Sequence, residues 1–397
     1  MKWPLIDMEE MIEKGLIKLG RGDVISKLDI AACPGPYPIY SSAQMNNGKF
    51  GEYGKYMFDQ ELITWSVDGG GQLFYRPKHK FSVTNVAGIL VILDSSQLDC
   101  KYFHYVLSDK HSRLSFDWIR KAHPSVIRRL YKKIPLPPLD DQIRIAHLLG
   151  KVEGLIAQRK QHLQQLDTLI KSVFLEMFGD PVRNEKGWDT KTLPQLVLPG
   201  KNSLKRGPFG GTLKKEIFVE NGYLVYEQNH ALNNDYSFGR YFVTEEKYKE
   251  LIDFKVVPGD ILISCSGVYL GKLSIVPDGV KPGIINQALL KVSVDPKKVM
   301  HVFFVYVFGS PQFKNKYFPS NRGGAIPNLP PMATMKEISF ISPPIELQQD
   351  FTKIFGKVEV LKSQYQGSLL DLEALYGALS QQAFKGELDL TRVPIDQ

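Results

Sequence analysis

Apolar residues recur at alternating steps of four and three along Ile145, Leu149, Val152, Ile156, Leu163, Leu166, Ile170, Val173 and Met177, with Arg159 as the one break. The same rhythm returns along Phe351, Phe355, Val358, Tyr365, Leu369, Leu372, Tyr376, Leu379 and Ala383, with Lys362 as its polar interruption. A period of 3.5 residues puts every apolar position on one seam, so each run predicts a long helix of coiled-coil type. Pro137-Pro138 and Pro343-Pro344 stand before the runs, and such pairs cannot lie inside a helix. Phe178-Gly179-Asp180-Pro181 predicts the stop of the first run. From Asp140 to Phe178 the first helix would be about 58 Å long at about 1.5 Å per residue. A stripe of that length needs a partner, and the second run supplies one.

The two runs belong to a repeat. Residues 134–180 and 340–386 align without a gap at an offset of 206, matching Gln142 with Gln348 and Gly150-Lys151-Val152-Glu153 with Gly356-Lys357-Val358-Glu359. The repeat extends at an offset of 185, pairing Trp3 with Trp188, Leu19 with Leu204, Arg21 with Arg206 and Gly22 with Gly207. The order is therefore domain, helix, domain, helix. The second domain joins the end of helix one to the start of helix two, which predicts antiparallel packing of the helices and a dumbbell shape.

Between the helices the pattern changes to short β-type runs separated by Gly- and Asn-rich turns. LITWSV (62–67), QLFYR (72–76) and AGILVIL (87–93) alternate with turns in the first domain. YLVYE (223–227), DILISCSG (260–267), GKLSIV (271–276) and ALLKVSV (288–294) do so in the second. Helices are predicted around Tyr102–Leu107 and His301–Tyr306. The expected class is α/β (α+β), with two similar β-rich mixed domains, two long antiparallel helices and an internal pseudo-twofold.

The 397 residues, 43% hydrophobic, suffice for two cores. Cys33, Cys100 and Cys265 show neither metal-type spacing nor an even-numbered framework, which points to a reducing cytoplasm. No stretch reads as a signal peptide, and the longest apolar runs are about seven or eight residues, too short to span a bilayer. The net charge of +8 is clustered: 101–133 holds nine Lys/Arg against Asp109 and Asp117, and 201–215 holds five basic residues and no acidic one. Taken as equivalent parts of the duplicated domain, these stretches predict a polyanion-binding surface, with nucleic acid favoured.

PLPPLDDQIRIAHLLGKVEGLI with LDTLIKSVFLEMFGDP, and the second copy ISPPIELQQ, resemble the specificity subunits of type I restriction-modification systems. RGPFGGTLKKEIFVENGYLVYEQ, VVPGDILISCSGVYLGKLSIVP, INQALL and RGGAIPNL resemble their target-recognition domains, and so do YPIYSSA, GEYG and ITWSVDGGGQLFYRP in the first half. The second copy departs from the first in having IELQQ for LDDQ, and RKAHPSVIRRLYKK lacks the GGA-x-x-x-L run. The resemblance implies target-recognition domain 1 at 1–139, long helix 1 at 140–180, target-recognition domain 2 at 181–342, and long helix 2 with a C-terminal tail at 343–397. It implies a non-catalytic, cytoplasmic, bacterial or archaeal chain. Its partners would be double-stranded DNA, two methyltransferase subunits and restriction subunits. S-adenosylmethionine, ATP and Mg would be held by those subunits, with no cofactor on this chain. Each domain would read half of a bipartite, asymmetric target, and the helices would set the spacer. Two rivals are a coiled-coil scaffold with protein-binding domains, which would not bind DNA, and a carbohydrate- or nucleotide-modifying enzyme, which would act alone.

The residues themselves offer no catalytic centre or metal site. LPPL, LPPM and SPPI lack the Asn/Asp-Pro-Pro-aromatic form of an adenine methyltransferase, and GVYLGK (267–272) is one residue short of a phosphate loop. Gly69-Gly70-Gly71 reads as a hairpin turn. For DNA binding the first domain offers Arg21; Tyr40, Ser41, Ser42, Asn46, Asn47 and Lys49 in one loop; and Arg76, Lys78 and Lys80 in another. The second offers Arg206, Phe209, Lys214, Lys215, Ser266, Tyr269, Lys272, Gln287, Asn321 and Arg322. Arg and Lys suit phosphate and guanine, Asn and Gln suit adenine, and aromatic rings suit stacking.

Overall fold

β-branched and aromatic residues dominate the short runs, and they pair into sheets whose order occurs twice. A computed structural model describes residues 3–42, 45–68, 70–114, 121–319 and 327–394. The chain divides into two compact units, Met1–Gln161 with Gln366–Gln397, and His162–Tyr365. The division falls inside the long helices, because the two ends of each helix pack into different cores.

In the first unit the strands are β1 (Leu5–Ile6), β2 (Ile17–Arg21), β3 (Tyr37–Tyr40), β4 (Lys49–Tyr53), β5 (Phe58–Asp59), β6 (Leu62–Ser66), β7 (Leu73–Arg76), β8 (Lys80–Val83), β9 (Ala87–Ile92) and β10 (Ile134–Pro135). They form a sheet of order β2-β9-β6-β7, a sheet of order β4-β3-β8-β5 and the pair β1-β10. The second unit carries β11 (Thr190–Thr192), β12 (Leu204–Arg206), β13 (Tyr223–Tyr226), β14 (Phe242–Val243), β15 (Lys255–Val256), β16 (Ile261–Ser264), β17 (Leu273–Ile275), β18 (Gly283–Ile285), β19 (Leu289–Val292) and β20 (Ser339–Ile341). Its sheets run β12-β19-β16-β17, β14-β13-β18-β15 and β11-β20, the same plan strand for strand. In each unit one pairing is parallel, β3 with β8 and β13 with β18. β6 and β16 are buried at every position, as central strands covered on both faces must be.

Helix α1 (Cys100–Ser112) covers the first unit's sheet, and α3 (His301–Gly309) does so in the second. The heptad runs form α2 (Leu139–Phe178, 40 residues) and α4 (Ile345–Lys385, 41 residues). Within each unit the two helices run antiparallel. In the first, Lys160 pairs with Glu373 at 2.9 Å, while Ile145 and Leu149 share a core with Ala383 and Phe384. In the second, Lys362 meets Asp167 at 2.9 Å and the Phe174 ring lies 5.4 Å from that of Phe351. Lys362, the polar break in the seam, is thus paired across the helices. Midway along the seam, Ile156, Leu163 and Leu166 are half-buried. Where a sheet domain joins the helices, at Ile145, Leu149, Ile170 and Phe351, burial is nearly complete.

The repeated tryptophans end these helices. Trp3 Nε1 donates to the Ala383 carbonyl at 2.7 Å, and Trp188 Nε1 donates to that of Phe178 at 2.9 Å. The two basic stretches, however, are not equivalent. Residues 201–215 include β12, the counterpart of β2, whereas 101–133 include α1, the counterpart of α3. Among the described residues no group of acidic, His and Cys side chains could hold a metal, and no helix is long and apolar enough to cross a membrane.

Candidate nucleic-acid interface

The parallel pairing decides where the candidate residues meet. Carboxyl ends of parallel strands are where open α/β sheets gather ligand-binding loops. In the first unit the chain leaves β3 at Tyr40 and β8 at Val83, and the Thr84 N–H donates to the Tyr40 carbonyl at 2.8 Å. Thr84 Oγ1 donates to Ser41 Oγ at 3.0 Å, and the Ser42 carbonyl accepts from Ser66 Oγ at 2.8 Å. Arg21, at the end of β2, reaches the same place: its Nε donates to the Asn85 carbonyl at 2.7 Å, and its Nη2 donates to the same oxygen. Gly22 must be glycine, because a Cβ there would fall 2.0 Å from the Val83 carbonyl oxygen.

Arg76 is 1% exposed, so it is not a surface cation. Its guanidinium carbon lies 3.7 Å from the centre of the Tyr40 ring. Nε donates to Thr64 Oγ1 at 3.0 Å and Nη1 to the Asn47 carbonyl at 2.8 Å. Burial pushes this guanidinium down to about 10. Asn46 and Asn47 both take left-handed backbone angles, φ 51° and 52°, which asparagine tolerates better than most residues. Arg76 therefore ties Tyr40 and the Asn46–Asn47 turn into one piece. Lys49 pairs with Glu52 at 2.8 Å, Lys80 lies 4.8 Å above the Tyr56 ring, and Lys78 is exposed.

In the second unit the chain leaves β13 at Tyr226 and β18 at Ile285, and Gln228 Nε2 donates to Ser264 Oγ and to the Ser266 carbonyl. Arg206, at the end of β12, donates from Nη2 to Asn328 Oδ1 at 2.7 Å and lies 5.5 Å from the Phe209 ring centre. Phe209 is 68% exposed and Tyr269 56%, with the Lys272 ammonium 5.7 Å from the Tyr269 ring. Lys214, Lys215 and Gln287 are exposed. Lys314 adds to this basic surface; burial first, and Lys272 second, hold it below the ordinary lysine range. Asn321 and Arg322 lie outside the described residues. GVYLGK (267–272) is the loop joining β16 to β17, closed by Gly271 N–H to Ser264 O at 2.9 Å.

A family model described as the type I restriction modification DNA specificity domain matches residues 6–168. A Mycoplasma pneumoniae protein assigned as a type I specificity subunit is 30% identical over 180 residues, covering 43% of this chain and 71% of that protein. The chain belongs to the type I specificity-subunit family. A second relative of that assignment from the same organism is 33% identical over 153 residues, or 38% of this specificity subunit. There the match spans only 41% of the relative's length. In fold, the specificity subunit is similar to the crystal structure of the type I restriction-modification S subunit from M. genitalium. That likeness has a TM-score of 0.60 at 18% identity and covers 97% of this chain and 96% of that one.

Reading the specificity subunit from sequence missed three groups of residues at these edges. Asn85 sits on Arg21, and Asn328 on Arg206. Phe50 and Val268 are large apolar side chains left exposed beside basic loops. Asn328 is the penultimate residue of the RGGAIPNL motif, whose last residue, Leu329, donates its N–H to the Cys265 carbonyl at 2.8 Å. In the first unit Ala122 N–H donates to the Val67 carbonyl at 2.7 Å, which places Ala122 beside the end of β6.

Proposed function

We propose that this specificity subunit is the non-catalytic DNA-recognition subunit of a type I restriction-modification complex. Each unit reads one half of a bipartite, asymmetric target in double-stranded DNA, and α2 and α4 fix the length of the unread spacer. The chain recruits two methyltransferase subunits and, where present, restriction subunits, in the cytoplasm of a bacterium or archaeon. S-adenosylmethionine, ATP and Mg are handled by those partners. The target adenine must leave the duplex to be modified, and its pocket belongs to the methyltransferase.

One observation carries the reading. The same strand plan occurs twice, and each copy gathers an arginine, polar turns and exposed aromatic or basic side chains at the carboxyl ends of its parallel strands. Two such edges in one chain suit two short, different sequences. Helices that are continuous through both units suit a ruler between them. The test is to assemble the full chain with its methyltransferase subunits and map the adenines modified in a genome. A two-part asymmetric motif with a constant gap supports the proposal. A complex that assembles but binds no DNA would make the chain a scaffold.

A further inference from the structure

The turn after β8 and the turn after β18 are built by the same hydrogen bonds. Thr84 N–H donates to the Tyr40 carbonyl at 2.8 Å, and Asn286 N–H to that of Tyr226 at 2.9 Å. Ala87 N–H closes its turn on Thr84 O at 3.0 Å, and Leu289 N–H closes the other on Asn286 O at 3.2 Å. Gly22 N–H then donates to Ala87 O at 3.3 Å, and Gly207 N–H to Leu289 O at 2.9 Å. A Cβ on Gly207 would fall 1.8 Å from the Asn286 carbonyl oxygen, and one on Gly22 would fall 2.6 Å from that of Thr84, its equivalent in the first turn. This register equates Asn85 with Gln287. Both carry a side-chain amide at the second position of the turn, next to the arginine that ends β2 or β12. Neither amide is held by another described residue.

The segments that leave the neighbouring strands differ between the units. After β3 comes the turn through Asn46 and Asn47; after β13 comes a short helix, Gln228–Asn233. Two domains that read different sequences must differ where they read bases, yet they meet the same sugar-phosphate backbone. We infer that Asn85 with Arg21, and Gln287 with Arg206, are matched clamps on backbone phosphates, leaving base readout to the divergent segments. Amide N–H groups and guanidinium both donate to phosphate oxygens, and Arg21 keeps Nη1 free of the Asn85 carbonyl. The inference rests on the recognition reading above.

The experiment uses the full chain assembled with its methyltransferase subunits. Asn85→Ala and Gln287→Ala should each weaken binding to target and non-target duplexes alike, by about three- to tenfold. The methylated motif should stay the same. Arg21→Met and Arg206→Met should weaken binding similarly and also lower the log–log salt slope by about 1, which the neutral amides should not do. Asn85→Asp keeps the shape and adds a negative charge, so it should bind more weakly than Asn85→Ala. Equal thermal unfolding of Asn85→Asp and the parent excludes misfolding as the cause. A motif that relaxes or changes in one half-site would make these residues base readers and overturn the clamp. Unchanged affinity in all variants would overturn it as well. A parent complex that binds no DNA would instead overturn the recognition reading itself.

Discussion

Gln142 Oε1 accepts a hydrogen bond at 2.9 Å from the main-chain N–H of Asp99, the residue that caps helix α1. Its Nε2 donates to the carbonyls of Gln97 and Pro137, at 2.9 and 2.8 Å. Gln348 repeats the arrangement, accepting from Met300 N–H at 2.9 Å and donating to Pro343 at 2.8 Å. A buried glutamine on each long helix thus locks the helix start to the N-terminus of the helix covering its sheet. The Pro-Pro pair in front serves it, since it presents a carbonyl where no helix can continue. Gln142→Ala should destabilise the first unit by about 1–3 kcal/mol, because it leaves buried backbone groups unpaired. Gln348→Ala should do the same to the second. Chemical denaturation of the full chain, followed by hydrogen exchange in each unit, would show equal unfolding if the clasp contributed nothing.

Arg76 is the basic residue whose structure differs most from a surface contact. Arg76→Met keeps the buried stem but releases the Tyr40 ring and the Asn47 carbonyl. Affinity of the assembled complex for its target should fall about tenfold, equivalent to about 1.4 kcal/mol. The salt slope should not change, since a buried guanidinium neutralises no phosphate. A slope lowered by about 1 would mean that Arg76 reaches DNA after all.

Salt itself is the broadest check on the polyanion surface. With exposed lysines and arginines in both units, log affinity should fall linearly with log salt, by about 0.9 per phosphate neutralised. A flat response would exclude DNA as a partner.

The ruler role predicts a geometric outcome. Removing one heptad from α2 and the facing heptad from α4 preserves the seam and shortens it by about 10 Å. The unread spacer should then shorten by about three base pairs at roughly 3.4 Å each, with both half-sites unchanged. Genome-wide methylation mapping reads the result. Altered half-sites with an unaltered spacer would end the idea.

Acid should loosen both units. Burial pushes the His104 imidazole down to about 4 and also lowers that of His230. The unfolded chain takes up protons near the ordinary value of about 6.5, which the folded chain refuses. The contribution of His104 is therefore full above about pH 6.5 and is lost as pH falls toward 4, and that of His230 is lost in the same direction. The loss is at most about 1.4 kcal/mol per pH unit for each such group. His104→Gln should flatten that part of the profile in thermal unfolding of the first unit.

The heptad runs and the 206-residue repeat made the long helices legible, because a helix face is written at a period of 3.5 residues in the chain itself. The strand runs at 62–67, 87–93, 260–267 and 288–294 were legible as short, largely apolar stretches bounded by turn residues. β3 and β8 were not, since YPIY and KFSV mix polar residues and a proline with apolar ones over only four positions each. Arg21 and Arg206 could be matched by number. Their partners, Asn85 and Asn328, could not, because one lies 64 residues away and the other 122.

Amino-acid order alone determined that two like domains alternate with two seamed helices, since duplication and periodicity are properties of the chain. Tertiary structure decided that β3 lies parallel to β8 and β13 to β18. That pairing, made across more than forty residues in each unit, brings Tyr40 to Thr84 and Tyr226 to Asn286. It also buried Arg76 under a tyrosine ring. Hydrogen bonds between distant strands depend on which backbones come side by side, and no local pattern of residues records that choice.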